Sequence, residues 1–140
     1  MTDIMLLAKK LFDRIEWQSV PETVTQQDLT VMIADAIRHL YVMTGRALTF
    51  DESKFVYEEG TYVSFADDLP LDEREYVILS AEIDFYKKVQ TSVDELTSYT
   101  TDAMAVTHGD KPFANLQQKI EGAESRLHQT WYKMIRYHLL

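Results

Sequence analysis

Glu124 and His128 stand four residues apart in a run that reads as helix, so the two side chains share one face and could act as a pair of metal ligands. Zinc needs at least one or two more. The chain has no cysteine, its other histidines are His39, His108 and His138, and no His-Glu-x-x-His spacing completes the set. The pair therefore reads as exposed helical side chains. His108 and Asp110, among the hydroxyls of Ser98, Thr100, Thr101 and Thr107, are the components of a nucleophilic site. No Gly-x-Ser-x-Gly elbow accompanies them, and there is neither a GxxxxGK[ST] nor a GxGxxG loop to cradle phosphate. The adjacent acids Glu58-Glu59 and Asp67-Asp68 are not opposed across a pocket, as a hydrolytic pair must be, and read as solvated charge. No catalytic residue, metal ligand or cofactor site emerges, and the chain is not expected to be an enzyme.

The elements around these residues read as an all-α fold: a single domain holding a bundle of about four helices. The spacing predicts helices over 3–16, 25–44, 72–96 and 112–138. Ile4, Leu7, Leu11, Phe12 and Ile15 make the apolar stripe of the first. The second opens on Thr25 and Asp28 as a capping box and stops at Gly45. Asp72, with Glu75 three further on, is expected to cap the third, whose buried side is Tyr76, Leu79, Ile83, Tyr86, Val89, Val93 and Leu96. Asp84 and Lys88 pair on its outside. Residues 98–111 read as a long extended connection. Residues 46–69 contain aromatic and β-branched pieces around Glu58-Glu59-Gly60 and read as a small surface excursion, either a short hairpin or a structured acidic loop, with Phe50, Phe55, Tyr62 and Phe65 as anchors.

The last helix is the longest element relative to what a domain of 140 residues needs. Phe113, Leu116, Ile120, Ala123, Leu127, Trp131, Met134 and His138 recur three or four apart, with Asp110 placed to cap it and Pro112 in its first turn. Such a helix spans roughly 40 Å. Its tip carries Trp131, Tyr132, Ile135, Arg136, Tyr137, Leu139 and Leu140, apolar on more than one side, which predicts a partner-binding surface; a closing helix buried in its own bundle is the alternative. Gly122 sits mid-helix, either tolerated or admitting a close neighbour, at a cost of about 1 kcal/mol relative to alanine.

The net charge is −9. Residues 51–75 hold nine acids against two bases, whereas residues 111–140 hold two acids against five bases. An acidic middle disfavours nucleic-acid wrapping, which needs a basic stripe. It suits a head-to-tail contact between copies, with Glu58, Glu59, Asp67 and Asp68 facing Lys119, Arg126 and Lys133. A solvated acidic loop is the other reading. No apolar run approaches the length of a membrane span, no signal peptide is visible, and the absence of cysteine is comfortable in a reducing compartment.

Two stretches carry a resemblance. Ile33-Ala-Asp-Ala-Ile-Arg-His-Leu-Tyr-Val-Met-Thr-Gly-Arg46 closes the second helix on Thr-Gly-Arg, and Tyr99-Thr-Thr-Asp-Ala-Met-Ala-Val-Thr-His-Gly-Asp-Lys-Pro112 leads into the aromatic-tipped last helix. From Thr25 to Leu140 the outline resembles the head–tail connector (adaptor) proteins of long-tailed bacteriophages, a family held together by helix order more than by invariant residues. Segment 46–69 departs from it, being longer and more strand-like. The resemblance implies a virion structural protein made in the host cytoplasm. Neighbouring copies would form a ring beneath the portal protein, extend the channel through which DNA passes, and meet a stopper or tail-completion protein below. The last helix would dock the portal, with no cofactor and no membrane. The alternatives are a stopper or tail-completion protein of the same neck, and a helical-bundle regulator that binds one protein partner.

Overall fold

The computed structural model describes residues 1–15, 25–100 and 110–138. Four helices carry most of the chain: α1 (Ile4–Arg14), α2 (Gln26–Met43), α3 (Leu71–Thr100) and α4 (Asp110–His138). Three short strands join them, β1 (Thr2–Asp3), β2 (Phe55–Glu58) and β3 (Thr61–Phe65). They form one antiparallel sheet in the order β1-β3-β2. The fold is therefore mostly helical, and the expectation of a purely all-α bundle needs correcting.

α3 lies at the centre. Tyr76, Val77, Ile78, Leu79, Ala81, Ile83, Phe85 and Tyr86 are all buried, which wraps apolar side chains around the whole helix and not along one stripe. α4 packs on it, α1 and α2 pack beside it, and the sheet lies against α1 and α2. α1 buries Ile4, Leu7, Ala8 and Leu11 and is capped by Asp3, which accepts from the Leu6 N–H. Phe12, expected in that stripe, is at the surface.

The capping box of α2 is present, with Thr25 and Asp28 each accepting from the other's backbone. Its far end closes as a Schellman motif: Arg46 N–H donates to Tyr41 O (2.8 Å) and Gly45 N–H to Val42 O (3.2 Å), with Gly45 at φ 73°. The apolar contact that usually accompanies this motif is replaced by the Arg46 guanidinium, 4.5 Å from the centre of the Tyr41 ring.

Three boundaries differ from expectation. α3 starts at Leu71, with the Pro70 carbonyl accepting from Arg74 N–H, so Asp72 lies inside the first turn and is not the cap. α3 also runs on to Thr100, so Ser98–Thr100 is helix and not connection. α4 starts at Asp110, which makes that residue helical. The rest of the expected connection lies outside the described residues, as do the side chains of Val93 and Leu96.

Segment 46–69 lies largely at the surface, as expected, but sends anchors into the core. Phe65 is fully buried and its ring lies 4.8 Å from Phe55, 5.7 Å from Tyr41 and 6.1 Å from Phe50. Phe50, Phe55 and Tyr62 pack against the same cluster, so all four anchors face the bundle. Thr2 fastens the first strand beneath it: its buried hydroxyl donates to Asp67 O (2.7 Å) and accepts from Leu69 N–H (3.0 Å). β2 and β3 pair from Phe55↔Phe65 to Glu58↔Thr61, with an irregularity after Val56. The two-residue turn between them, Glu59-Gly60, holds both residues at positive φ (52° and 81°), as hairpin twist requires.

Two variants check this account. Phe65→Ala removes the centre of the aromatic cluster and is expected to cost about 3–5 kcal/mol in a denaturant melt; a loss below 1 kcal/mol would mean that the segment's anchors lie outside the core. Glu59→Asn places a residue that tolerates left-handed backbone in the turn and is expected to gain about 0.5–1 kcal/mol, read as a rise in the unfolding midpoint.

Candidate assembly interface

The acids that make the middle of the sequence negative are mostly consumed within the chain. Asp67 accepts from Lys54 Nζ (3.0 Å) and from the Tyr41 hydroxyl (2.7 Å). Those two bonds, Tyr41 first, hold its carboxyl below the ordinary range, while burial together with the Asp67 bond pushes the Tyr41 hydroxyl up. Asp68 pairs with Arg74 (2.7 Å) and lies 3.8 Å from the N-terminal amine. Glu52 takes the Arg38 guanidinium (2.6 Å), which also stacks over Phe55 and Tyr62. Glu75 pairs with Arg14 (2.8 Å), and the buried Glu73 pairs with Arg46. Glu58 and Glu59 are the exception. They sit at the exposed hairpin tip, and their carboxylates have neither a hydrogen bond nor an ion pair among the described residues. Of the four acids expected to reach a second copy, Asp67 and Asp68 pair within the chain, Asp68 while 73 % exposed, and the tip pair does not.

The three expected cations of α4 are seven residues apart, two helical turns each, and so line one flank. Lys119 is half-buried with its ammonium 6.0 Å from the centre of the Tyr86 ring. Arg126 is exposed and reaches Glu82 on α3 at 3.6 Å. Lys133 is exposed, with no ion pair among the described residues. Gly122, on the outward side beside them, would meet nothing within 4 Å if it carried a Cβ. Nothing in a single copy requires glycine there.

The aromatic tip divides between inside and outside. Trp131 packs against Tyr76 (5.8 Å between rings), and Met134 beyond it is buried core. Tyr132 is 77 % exposed. Ile135 is half-buried and, with Trp131 and Met134, walls a cavity of about 390 Å³ completed by Met43, Thr44, Arg46 and Glu73. Arg136 and Tyr137 continue the helix, though their side chains lie outside the described residues; Leu139 and Leu140 lie outside them altogether.

Glu82 was not singled out by sequence spacing, and it has an unusual place. It is 3 % exposed, and its Oε2 has no hydrogen-bond partner. Burial raises its carboxyl above the ordinary range, opposed chiefly by the Arg126 charge and less by Arg14. Its signal in the sequence was an acid within an otherwise apolar helical run.

Glu124 forms an ion pair with Lys87 (3.5 Å), and His128 is exposed. His39 lines an open groove between α2 and α3 with Asp35, Asp84 and Lys87, and Asp84 also makes the expected pair with Lys88 (3.4 Å). Among the described residues no group of three His, Cys, Asp or Glu is placed to hold a metal ion, and none of the helices is long and apolar enough to cross a membrane. His108 lies outside the described residues. Comparison with protein-family models, with curated proteins and with solved structures finds no match to the chain.

The raised Glu82 carboxyl gives a signed expectation. A group whose pKa is raised on folding stabilises the fold below its unfolded pKa, and that contribution is lost as pH rises through the folded value. Glu82→Gln removes this loss, so the variant should gain on the wild type as pH rises from 4 to 7, read from denaturant midpoints at each pH. A variant that instead loses ground toward pH 7 would mean that the charged Glu82–Arg126 pair is net stabilising.

Proposed function

We propose that this chain is a structural assembly protein, a head–tail connector (adaptor) whose copies form a ring beneath a portal, extend its DNA channel and join capsid to tail. In this reading it performs no reaction and holds no cofactor. The observation that carries the reading is the division of the α4 tip. Trp131 and Met134 fix the tip to the bundle, while Tyr132 stands in water at 77 % exposure on the side away from the bundle, next to Lys133 in sequence and one turn before Arg136. An exposed aromatic ring held on a rigid helix next to basic residues is the composition of an interface anchor. The resemblance in helix order supplies the identity of the partner, and residues 131–140 are the proposed portal-docking segment. A mostly helical chain with so small a sheet favours the connector over a strand-rich stopper.

Electron microscopy of the purified protein mixed with portal-bearing capsids tests this directly. The expected result is an added ring of density below the portal vertex, with Tyr132→Ala reducing occupancy about tenfold or more, the scale of an interface hot spot near 2 kcal/mol. The exposed position of Tyr132 makes that variant harmless to folding, which circular dichroism checks. Capsids that stay bare with wild-type protein would overturn the proposal. A discrete one-to-one complex with a soluble partner would favour a regulator instead.

A further inference from the structure

The proposed ring leaves open which surfaces join one copy to the next, and the distribution of unspent charge narrows the choice. We propose that the β2–β3 hairpin tip of one copy, through Glu58 and Glu59, docks on the flank of α4 that carries Arg126 and Lys133 in the next copy. This deepens the connector reading, on which it rests for the existence of a ring.

Three observations on separate parts of the molecule support it. Most acids of residues 51–75 are engaged inside the chain, whereas among the described residues the tip pair is not, and Lys133 on α4 is exposed and has no ion pair there either. Second, the acid at 59 opposes local folding. Both central positions of this turn need positive φ, where asparagine and glycine fit best, yet Glu59 sits at φ 52°. Third, the receiving flank has room: nothing lies within 4 Å of a Cβ built on Gly122, one helical turn before Arg126.

The placement of the two surfaces decides the kind of contact. The sheet packs on α1 and α2, and α4 packs on α3, so tip and flank belong to different layers of the fold. A contact between them joins unlike patches. In the proposed ring each copy gives its tip to one neighbour and its flank to the other, so the contact is heterologous: an open chain leaves a tip at one end and a flank at the other, and grows until a ring closes. Tyr57, 58 % exposed beside the two acids, supplies apolar area at the same contact. The cavity beside Trp131 lies on the other flank of α4 and is left for a different partner.

Sedimentation velocity of the purified full chain, at low and at raised salt, tests the contact. Wild-type protein should self-associate, and association should fall at least about tenfold as salt rises past the range where exposed charges are screened. Glu58→Lys with Glu59→Lys should abolish association, and so should Lys133→Glu, each with an unchanged circular dichroism spectrum. Mixing the two variants should restore it, because each then offers the other a complementary tip or flank. The absence of native cysteine allows a second readout: Glu59→Cys mixed with Lys133→Cys should oxidise to the mixed disulfide in preference to either homodimer. Association that ignores salt and both reversals, or homodimers as the main disulfide product, would overturn the contact. Rings on portal-bearing capsids that survive the tip reversal would remove this contact and leave the connector reading intact. A wild-type chain that neither self-associates nor joins such capsids would remove both.

Discussion

A helix that is apolar on every side cannot lie on a surface, and that constraint on α3 organises the molecule. From Tyr76 to Tyr86 nearly every side chain is withdrawn from water, including two valine and isoleucine positions that a one-faced helix would expose. Burying such a segment needs cover all round. α4 supplies one side through Leu116, Ile120, Ala123 and Met134, and α1 and α2 supply others. Each buried aliphatic or aromatic side chain contributes on the order of 1.5–3 kcal/mol, so α4 is held in place chiefly by α3, while α1 is held chiefly by α2. The polar cost of this arrangement is concentrated in Glu82, the carboxylate caught beneath Arg126.

The sheet follows from a similar logic on the other side of α2. Tyr41, Phe50, Phe55 and Phe65 form one aromatic cluster, and the strands are the backbone solution that brings rings from separated positions to it. Asp67 then ties the cluster's rim together, accepting from Tyr41 and Lys54 while its backbone carbonyl holds Thr2. Charges that the composition presents as a repulsive block are instead the clasps of this corner.

The helices were largely legible because their signals are local. Thr25 and Asp28 cap, Gly45 stops, and the apolar period of α4 runs almost unbroken. What sequence reading missed depends on distant partners. β1 is two residues long, and only Phe65 and Ser64, over sixty positions away, make it a strand. Val77, Ile78 and Phe85 fell outside the expected buried side of α3 because periodicity finds one face and cannot reveal that a second layer covers the other. Position along the chain showed where the acids are, but not that Lys54, Arg74, Arg38, Arg46 and Arg14 would pair with five of them. The apolar tip of α4 was legible as a feature, while its division into a fixed Trp131 and an exposed Tyr132 required the bundle.

The central claim is that this fold is a unit of a larger assembly built by repeating one unlike-to-unlike contact. A contact that joins each copy's tip to one neighbour and its flank to another does not stop at two copies, whereas the same patches paired reciprocally about a two-fold axis do. Native mass spectrometry at low salt, over a rising concentration series, reads the difference directly. The account predicts a ladder of species passing beyond the dimer and ending in one closed, discrete mass. A series that ends at a symmetric dimer, or shows monomer alone at every concentration, would contradict it.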